Sequence, residues 1–286
     1  MEVPISNTAV TQGDPMTKAS KIIVLSTKGG AGKSTVCIQV IAPYMYQKNK
    51  EPIKLYEFDD ENQESRLLGG SEIIEAERIV VGKKDLRDEL TDILLNEHHA
   101  CIDVGANKTA ITLMDALLES GMIYRVDLVV IPLMDGEIDA MNAFEVYCAL
   151  KAKHPELKVL FALVRTNSAR ELSCQFDLFL GDKRGLFSKE GVIESLQEED
   201  KCYFLLPDTD TVKNSRLFGM SIWELGTMEK NITEELKEAI EMGKDAKSIK
   251  LLSFKKALKH DCEVYVKKAL LPAFAIIDKR LGEKDD

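Results

Sequence analysis

The feature that most narrows the fold is a set of six nearly unbroken apolar runs: "KIIVLS" (21–26), "IKLYEF" (53–58), "ACIDV" (100–104), "DLVVIPL" (127–133), "KVLFALV" (158–164) and "CYFLLP" (202–207). A half-buried strand alternates apolar and polar residues. A run that is apolar at successive positions needs cover on both faces. Between the runs, apolar residues recur at helical spacing near 34–48, 85–96, 109–120, 136–153 and 169–180. Each such helix can cross one face and return the chain to the sheet in the same direction. The chain is therefore predicted to be α/β, with a doubly wound, mostly parallel sheet and helices on both faces.

The expected boundaries follow the start and end of this rhythm. Residues 1–20 are polar and read as a flexible tail, and 21–226 carry the sheet domain. From Thr227 the strands stop while helix-period residues continue, interrupted at Gly243 and Pro272, so 227–286 reads as a C-terminal helical extension appended to that domain. The polar stretch "GDKRGLFSKEGVIESLQEEDK" (181–201) is expected to be a surface excursion with a short helix. A formal net charge of −10 argues against binding a polyanion with the whole surface, leaving only local patches for that purpose. The six cysteines show no CxxC pair or metal-ligand spacing and read as free thiols of a reducing compartment. The first twenty residues hold no cationic start leading into an apolar segment, and no apolar run approaches a bilayer span, so a cytoplasmic location is expected.

Directly after the first run comes "STKGGAGKST", Ser26 to Thr35. The usual GxxxxGK[ST] register is not met, because Thr27 stands where its first glycine would be. A glycine-rich turn between a strand and a helix still has what phosphate binding needs. Glycines let backbone N–H groups turn inward, and the helix presents its positive end. Lys28, Gly29, Gly30, Ala31, Gly32, Lys33, Ser34 and Thr35 are therefore candidate ATP-binding residues, with Lys33 reaching the β- and γ-phosphates and the Ser34 hydroxyl holding Mg²⁺. Lys28 is an added cation at the mouth of a loop that already holds Lys33. Like charges repel, so a second lysine there makes little sense within one subunit.

"KGGAGKST" resembles the deviant phosphate loop of the ParA/MinD family of ATPases. The resemblance runs from about Lys21 to Leu225 and implies a P-loop NTPase fold, ATP and Mg²⁺ as cofactors, slow hydrolysis to ADP and phosphate, and a homodimer formed on ATP binding. It also implies that Lys28 reaches the nucleotide of the partner subunit, as an arginine finger does. At the end of "KLYEFDDENQ" the family places an Asp-x-Asp pair. Aligning on the strand end puts Glu57 first and Asp59 second, with Asp59 positioning the attacking water and Asp60 the alternative after a one-residue slip. Asp103, in "ACIDV", is expected to bind the metal through water. "DVGAN", together with Asn62, resembles the TraL branch encoded with conjugative transfer systems. Asn167, Pro207 and Asp208 match the positions that cradle adenine in MinD and ParA, and an Asn amide can pair both its donor and its acceptor with adenine's edge.

The same resemblance implies a switch that acts on a surface and is stimulated by a partner protein. Nonspecific DNA is one such surface. Lys247, Lys250, Lys255, Lys256 and Lys259 are the candidate contacts, on the outer side of a helix docked by Leu251, Phe254 and Leu258. A membrane is less favoured, because "ALLPAFAIIDKRLGEKDD" contains Pro272 and ends acidic. A protein cargo or transfer machine is the third option. Nitrogenase-iron-protein chemistry is not expected, since the cysteines do not sit where cluster ligands would. Plasmid, chromosome and transfer apparatus all remain open as clients.

Overall fold

In a computed structural model, residues 19–58, 68–80, 86–181 and 190–282 are described. The strands are β1 (Lys21–Val24), β2 (Ile53–Phe58), β3 (Ile74–Arg78), β4 (Ala100–Val104), β5 (Leu128–Leu133), β6 (Val159–Thr166) and β7 (Tyr203–Pro207). They form one sheet in the order β3-β2-β4-β1-β5-β6-β7, and every pairing is parallel. β1 lies between β4 and β5, so the chain changes its direction of travel across the sheet there. The carboxyl end of a strand at such a switch point is where open α/β sheets bind ligands.

Six of the strands are the apolar runs. β3 is the addition. Its sequence, "IEAER", carries residues that favour a helix in isolation. As an edge strand it pairs on one side only, with Ile53 opposite Ile74 and Glu57 opposite Arg78, and only its first residue is buried. Its pairing with β2 decides the outcome against local propensity.

Alternation along the strands divides the core in two. Ile22, Val24, Leu55 and Cys101 face one layer, and Ile23, Leu25, Tyr56 and Ile102 face the other. The first layer is covered by the helical run Lys33–Asn49 and by the C-terminal helices, and the second by helices Leu86–Leu95, Lys108–Ser120 and Glu137–Lys153.

Two expectations about the C-terminal part change. Pro272 does not interrupt it. The helix Ala246–Tyr265 passes through a π-turn, Val266–Leu270, into Leu271–Leu281. Pro43 follows the π-turn Cys37–Ile41 in the same way. A proline has no N–H to give the preceding turn, and a locally widened turn accommodates it without ending the helix. Second, Leu251 stays exposed and Phe254 only stacks its ring at 6.1 Å on Phe218 while remaining exposed, and the buried stripe begins at Leu258 and runs through Cys262, Leu270, Phe274 and Ile277. From there the extension is part of the core. Tyr44 packs edge-on to Phe274 at 5.6 Å and donates to Asp278 Oδ1 at 2.8 Å.

The excursion at 181–201 also differs from expectation in its described part, 190–201. Ile193 and Leu196 are buried, and Asp200 is wholly so. Asp200 accepts from Lys151 Nζ at 2.7 Å, from Tyr147 OH at 3.1 Å and from Arg280 Nη2. Charges of opposite sign, contributed by three separate segments, allow a polar stretch to be folded inward. No helix among the described residues is long and apolar enough to cross a membrane.

Candidate functional site

The loop Lys28–Gly32 leaves the carboxyl end of β1, beside the ends of β4 and β5. Gly30 and Gly32 have φ of +75° and +90°, the left-handed conformation that L side chains resist. A Cβ on Gly32 would also lie 2.8 Å from Val164 Cγ1, so the loop needs glycine for two reasons. Successive turns of this kind aim N–H groups at a common point and form an anion cradle. Lys33 opens the helix and is buried, with Nζ donating to the Lys28 carbonyl at 2.9 Å, while Ser34 and Thr35 are half-buried in its first turn.

Asp103 is 4% exposed at the end of β4, in register with Val24 on one side and Glu57 on the other. By strand alternation it shares a face with Cys101 and Val24, the face packed by the loop helix. Glu57, also buried, shares that face with Leu55. Burial and the neighbouring Cys101 thiol push the Cys37 thiol well up. Asp103 adds to that shift and Lys33 opposes it, so both charges act on one atom beneath the loop. A buried carboxylate, a lysine, a half-buried hydroxyl and an anion cradle are the donor set that a magnesium nucleotide requires, and the residues present fit that group. The segment after β4 is tied to the loop by Asn107 N–H, which donates to Thr27 O at 2.8 Å, with Asn107 itself at φ +53°. Asp59, Asp60 and Asn62 lie outside the described residues.

Lys28 differs from its expected situation. Its Nζ lies 2.5 Å from Oδ2 of Asp139, which is 4% exposed in the first turn of helix Glu137–Lys153. The argument that a second lysine has no use within one subunit therefore fails: a buried carboxylate from a distant segment neutralises it. No motif marked Asp139, which lies 111 residues from Lys28.

Two adjoining clefts lie on the other side of the loop. They share Arg165, Pro207 and Asp208; one reaches Gly32 and Thr35, and the other reaches Asn167. The bulge between Val164 and Thr166 places Arg165 at φ +60°, a strained conformation for a residue with a side chain. The sequence also gave no sign of Gln175, which is buried and fastens the Asn167 backbone by accepting its N–H at 2.7 Å and donating to its carbonyl at 2.8 Å. Asn167 Oδ1 accepts the Ala169 N–H at 2.9 Å in an Asx turn. Its Oδ1 is thus already engaged within its own turn. Pro207 O accepts from Tyr265 OH at 3.0 Å, so the C-terminal helix holds the second wall.

The expected DNA contacts do not form one free row. Lys247, Lys250 and Lys256 are exposed, but Lys255 lies 5.5 Å over the Phe218 ring and Lys259 pairs with Glu263 at 2.6 Å. Among the described residues no cluster of His, Cys, Asp and Glu has metal-binding geometry, and the six cysteines are free.

No family model matches the sequence, and no curated protein does. Solved structures do. The ATP complex of McdA from Cyanothece superposes with a TM-score of 0.51 at 11% identity, covering 94% of this chain and 99% of that one. The fold is that of the ParA/MinD ATPases. MinD from Aquifex aeolicus matches at 15% identity, with a TM-score of 0.46 over 71% of this chain and 89% of its own. A plasmid partition protein from Borrelia burgdorferi matches at 14% identity, with a TM-score of 0.38 over 59% and 88%. At these identities the ParA/MinD likeness is one of architecture, and the site must be argued from this chain's own residues.

Proposed function

We propose that this chain is an ATP-dependent, dimerising switch ATPase of the ParA type, serving DNA partition or conjugative transfer. The observation that carries the reading is the convergence at the end of β1 of an anion cradle with positive φ at Gly30 and Gly32, a buried Lys33 and a buried Asp103. Lys33 binds the β- and γ-phosphates, and Ser34 with Asp103 holds the metal, which when bound offsets phosphate charge. Asn167, Pro207 and Asp208 form the base side. Lys28 leaves Asp139 to reach the partner subunit's nucleotide, and Asp59 orients water.

The MinD-like alternative, positioning a cargo protein without DNA, draws support from the engagement of Lys255 and Lys259. Its membrane version loses support, because Ala273, Phe274 and Ile277 bury the apolar side of the last helix. Sedimentation with Mg²⁺ and a slowly hydrolysed ATP analogue tests the switch. The wild type is expected to dimerise only with nucleotide. Lys33→Ala should bind no nucleotide, and Lys28→Ala should bind it while remaining a monomer. A wild type that binds ATP as a monomer defeats the dimer, and one that binds no ATP defeats the whole reading. A DNA shift at two salt concentrations separates the clients, since phosphate contacts weaken steeply with salt.

A further inference from the structure

Between the phosphate loop and the base-side cleft lies a stretch to which the loop motif assigns no ligand. Gly32 and Thr35 form one wall, and the segment after β7 forms the other with Asp208, Lys213 and Arg216, while Arg165 lies where the two clefts meet. A nucleotide with its β- and γ-phosphates in the loop and its base against Asn167 must lay its α-phosphate and ribose along this cleft, because those are the atoms that join the two ends. Three cations and one carboxylate face it, so its field suits an anion.

The three cations are not equivalent. Lys213 is exposed and lies 3.6 Å from Asp210, and Arg165 is exposed. Arg216 is half-buried, and its Nη2 donates to Thr35 Oγ1 at 3.3 Å, in the first turn of the loop helix. The turn that follows it is pinned. Gly219 N–H donates to Arg216 O at 3.0 Å, and Gly70 N–H to Gly219 O at 3.2 Å. A Cβ on Gly70 would fall 2.5 Å from Phe218 O, so the two segments meet backbone to backbone. A guanidinium held from both ends loses little freedom when it grips an oxyanion, and its planar fork can set two N–H donors toward the phosphate oxygen on its side.

We propose that Arg216 is the α-phosphate ligand of this site. The proposal rests on the nucleotide reading above but not on the loop motif, since Arg216 lies 181 residues from Thr35. The α-phosphate is common to ATP and ADP and is not cleaved, so Arg216 acts on affinity for both. It also distinguishes the two non-bridging α-oxygens, because the fork approaches from one side.

The test is calorimetric binding of ATP, ADP and the two diastereomers of ATPαS to the wild type, Arg216→Gln and Arg216→Lys. Arg216→Gln is expected to weaken ATP and ADP by the same factor, on the order of tenfold to a hundredfold for lost charge-assisted hydrogen bonds. The wild type should discriminate between the diastereomers, and the variant should bind them nearly equally. Should Arg216→Gln fail to fold, Arg216→Lys decides: it keeps the charge without the fork, so its diastereomer ratio must fall toward one. Unchanged affinity, a loss confined to ATP, or diastereomer discrimination that survives in the variants overturns the proposal while leaving ATP binding intact. A wild type that binds neither nucleotide overturns the proposal together with the reading beneath it.

Discussion

The Lys28–Asp139 pair makes an asymmetric prediction. Asp139 Oδ1 is buried and accepts no hydrogen bond among the described residues, so Lys28 on Oδ2 supplies most of its compensation, aided by the positive end of its own helix. Breaking a wholly buried pair by deleting one partner costs about 3–5 kcal/mol. The Lys28 side chain is 32% exposed, so water enters when it is removed, and Lys28→Ala should cost about 1–3 kcal/mol. Asp139→Asn instead leaves an ammonium that can turn to solvent, at a cost of roughly 0.5–1 kcal/mol. The double variant should be more stable than Lys28→Ala alone, because the stranded charge is gone. Urea unfolding of the four proteins without nucleotide measures this. Equal costs for the two single variants, or strictly additive losses in the double one, would refute the argument that Asp139 is a buried charge dependent on Lys28.

The same pair sets a threshold for assembly. If Lys28 serves the neighbouring subunit, each protomer must first give up its bond to Asp139, and a dimer does so twice. With about 1–3 kcal/mol per pair for the carboxylate left behind, Asp139→Asn should tighten the ATP-bound dimer by roughly thirtyfold or more. Sedimentation equilibrium reads that shift directly. A dimer that is unchanged or weaker in Asp139→Asn would mean Lys28 stays with its own chain.

Other residues give further tests. Gly32→Ala forces a side chain to φ +90° and into Val164, and should cost about 1–3 kcal/mol in thermal unfolding, and its double variant with Val164→Ala should lose less than the sum of the two single losses. Asp200→Asn leaves Lys151 and Arg280 facing an uncharged amide in the interior, and should lower stability by about 3 kcal/mol in urea, more than removal of Lys201 from its exposed pair with Glu198. Lys21, buried with its ammonium on Asn96 Oδ1 at 2.9 Å, is lowered to about 8 by burial, then by Arg125, against an opposing effect of Asp127. The unfolded chain therefore binds more protons between pH 8 and the ordinary lysine value, and stability contributed by this residue rises with pH there. Measured against Lys21→Gln, the wild type should gain about 1–3 kcal/mol between pH 7.5 and 10, and a flat difference would show that the ammonium is solvated.

How much of this was legible in the sequence depended on whether the deciding interaction was local. β1, the glycine loop and its helix are contiguous, and their apolar run, positive-φ residues and first turn could be read in place. Asp103 could be read because a carboxylate ending an apolar strand is conspicuous once the loop is known. β3 could not, because "IEAER" is decided by its pairing with β2 and not by its own propensity. Nor could spacing show where the body of the protein ends. Leu251, Phe254 and Leu258 share a helical stripe, yet only Leu258 is buried; Phe254 stacks on Phe218 at the rim of the core and Leu251 stays exposed.

The same limit explains the site. The loop motif names residues within ten positions of one another, and those are the ones that touch phosphate in any protein with such a loop. What is particular to this chain arrives from other crossovers: Asp139 on the helix after β5, Gln175 on the segment after β6, and Arg216 and Tyr265 beyond β7. A parallel sheet gathers the carboxyl ends of all its strands on one edge, so each crossover can contribute one side chain without any periodicity in the chain to announce it. The chemistry shared by such folds is therefore carried by the contiguous loop. The proposed Arg216 contact, the resting position of Lys28 and the shape of the cleft beside Asn167 are carried by residues that only the sheet brings together.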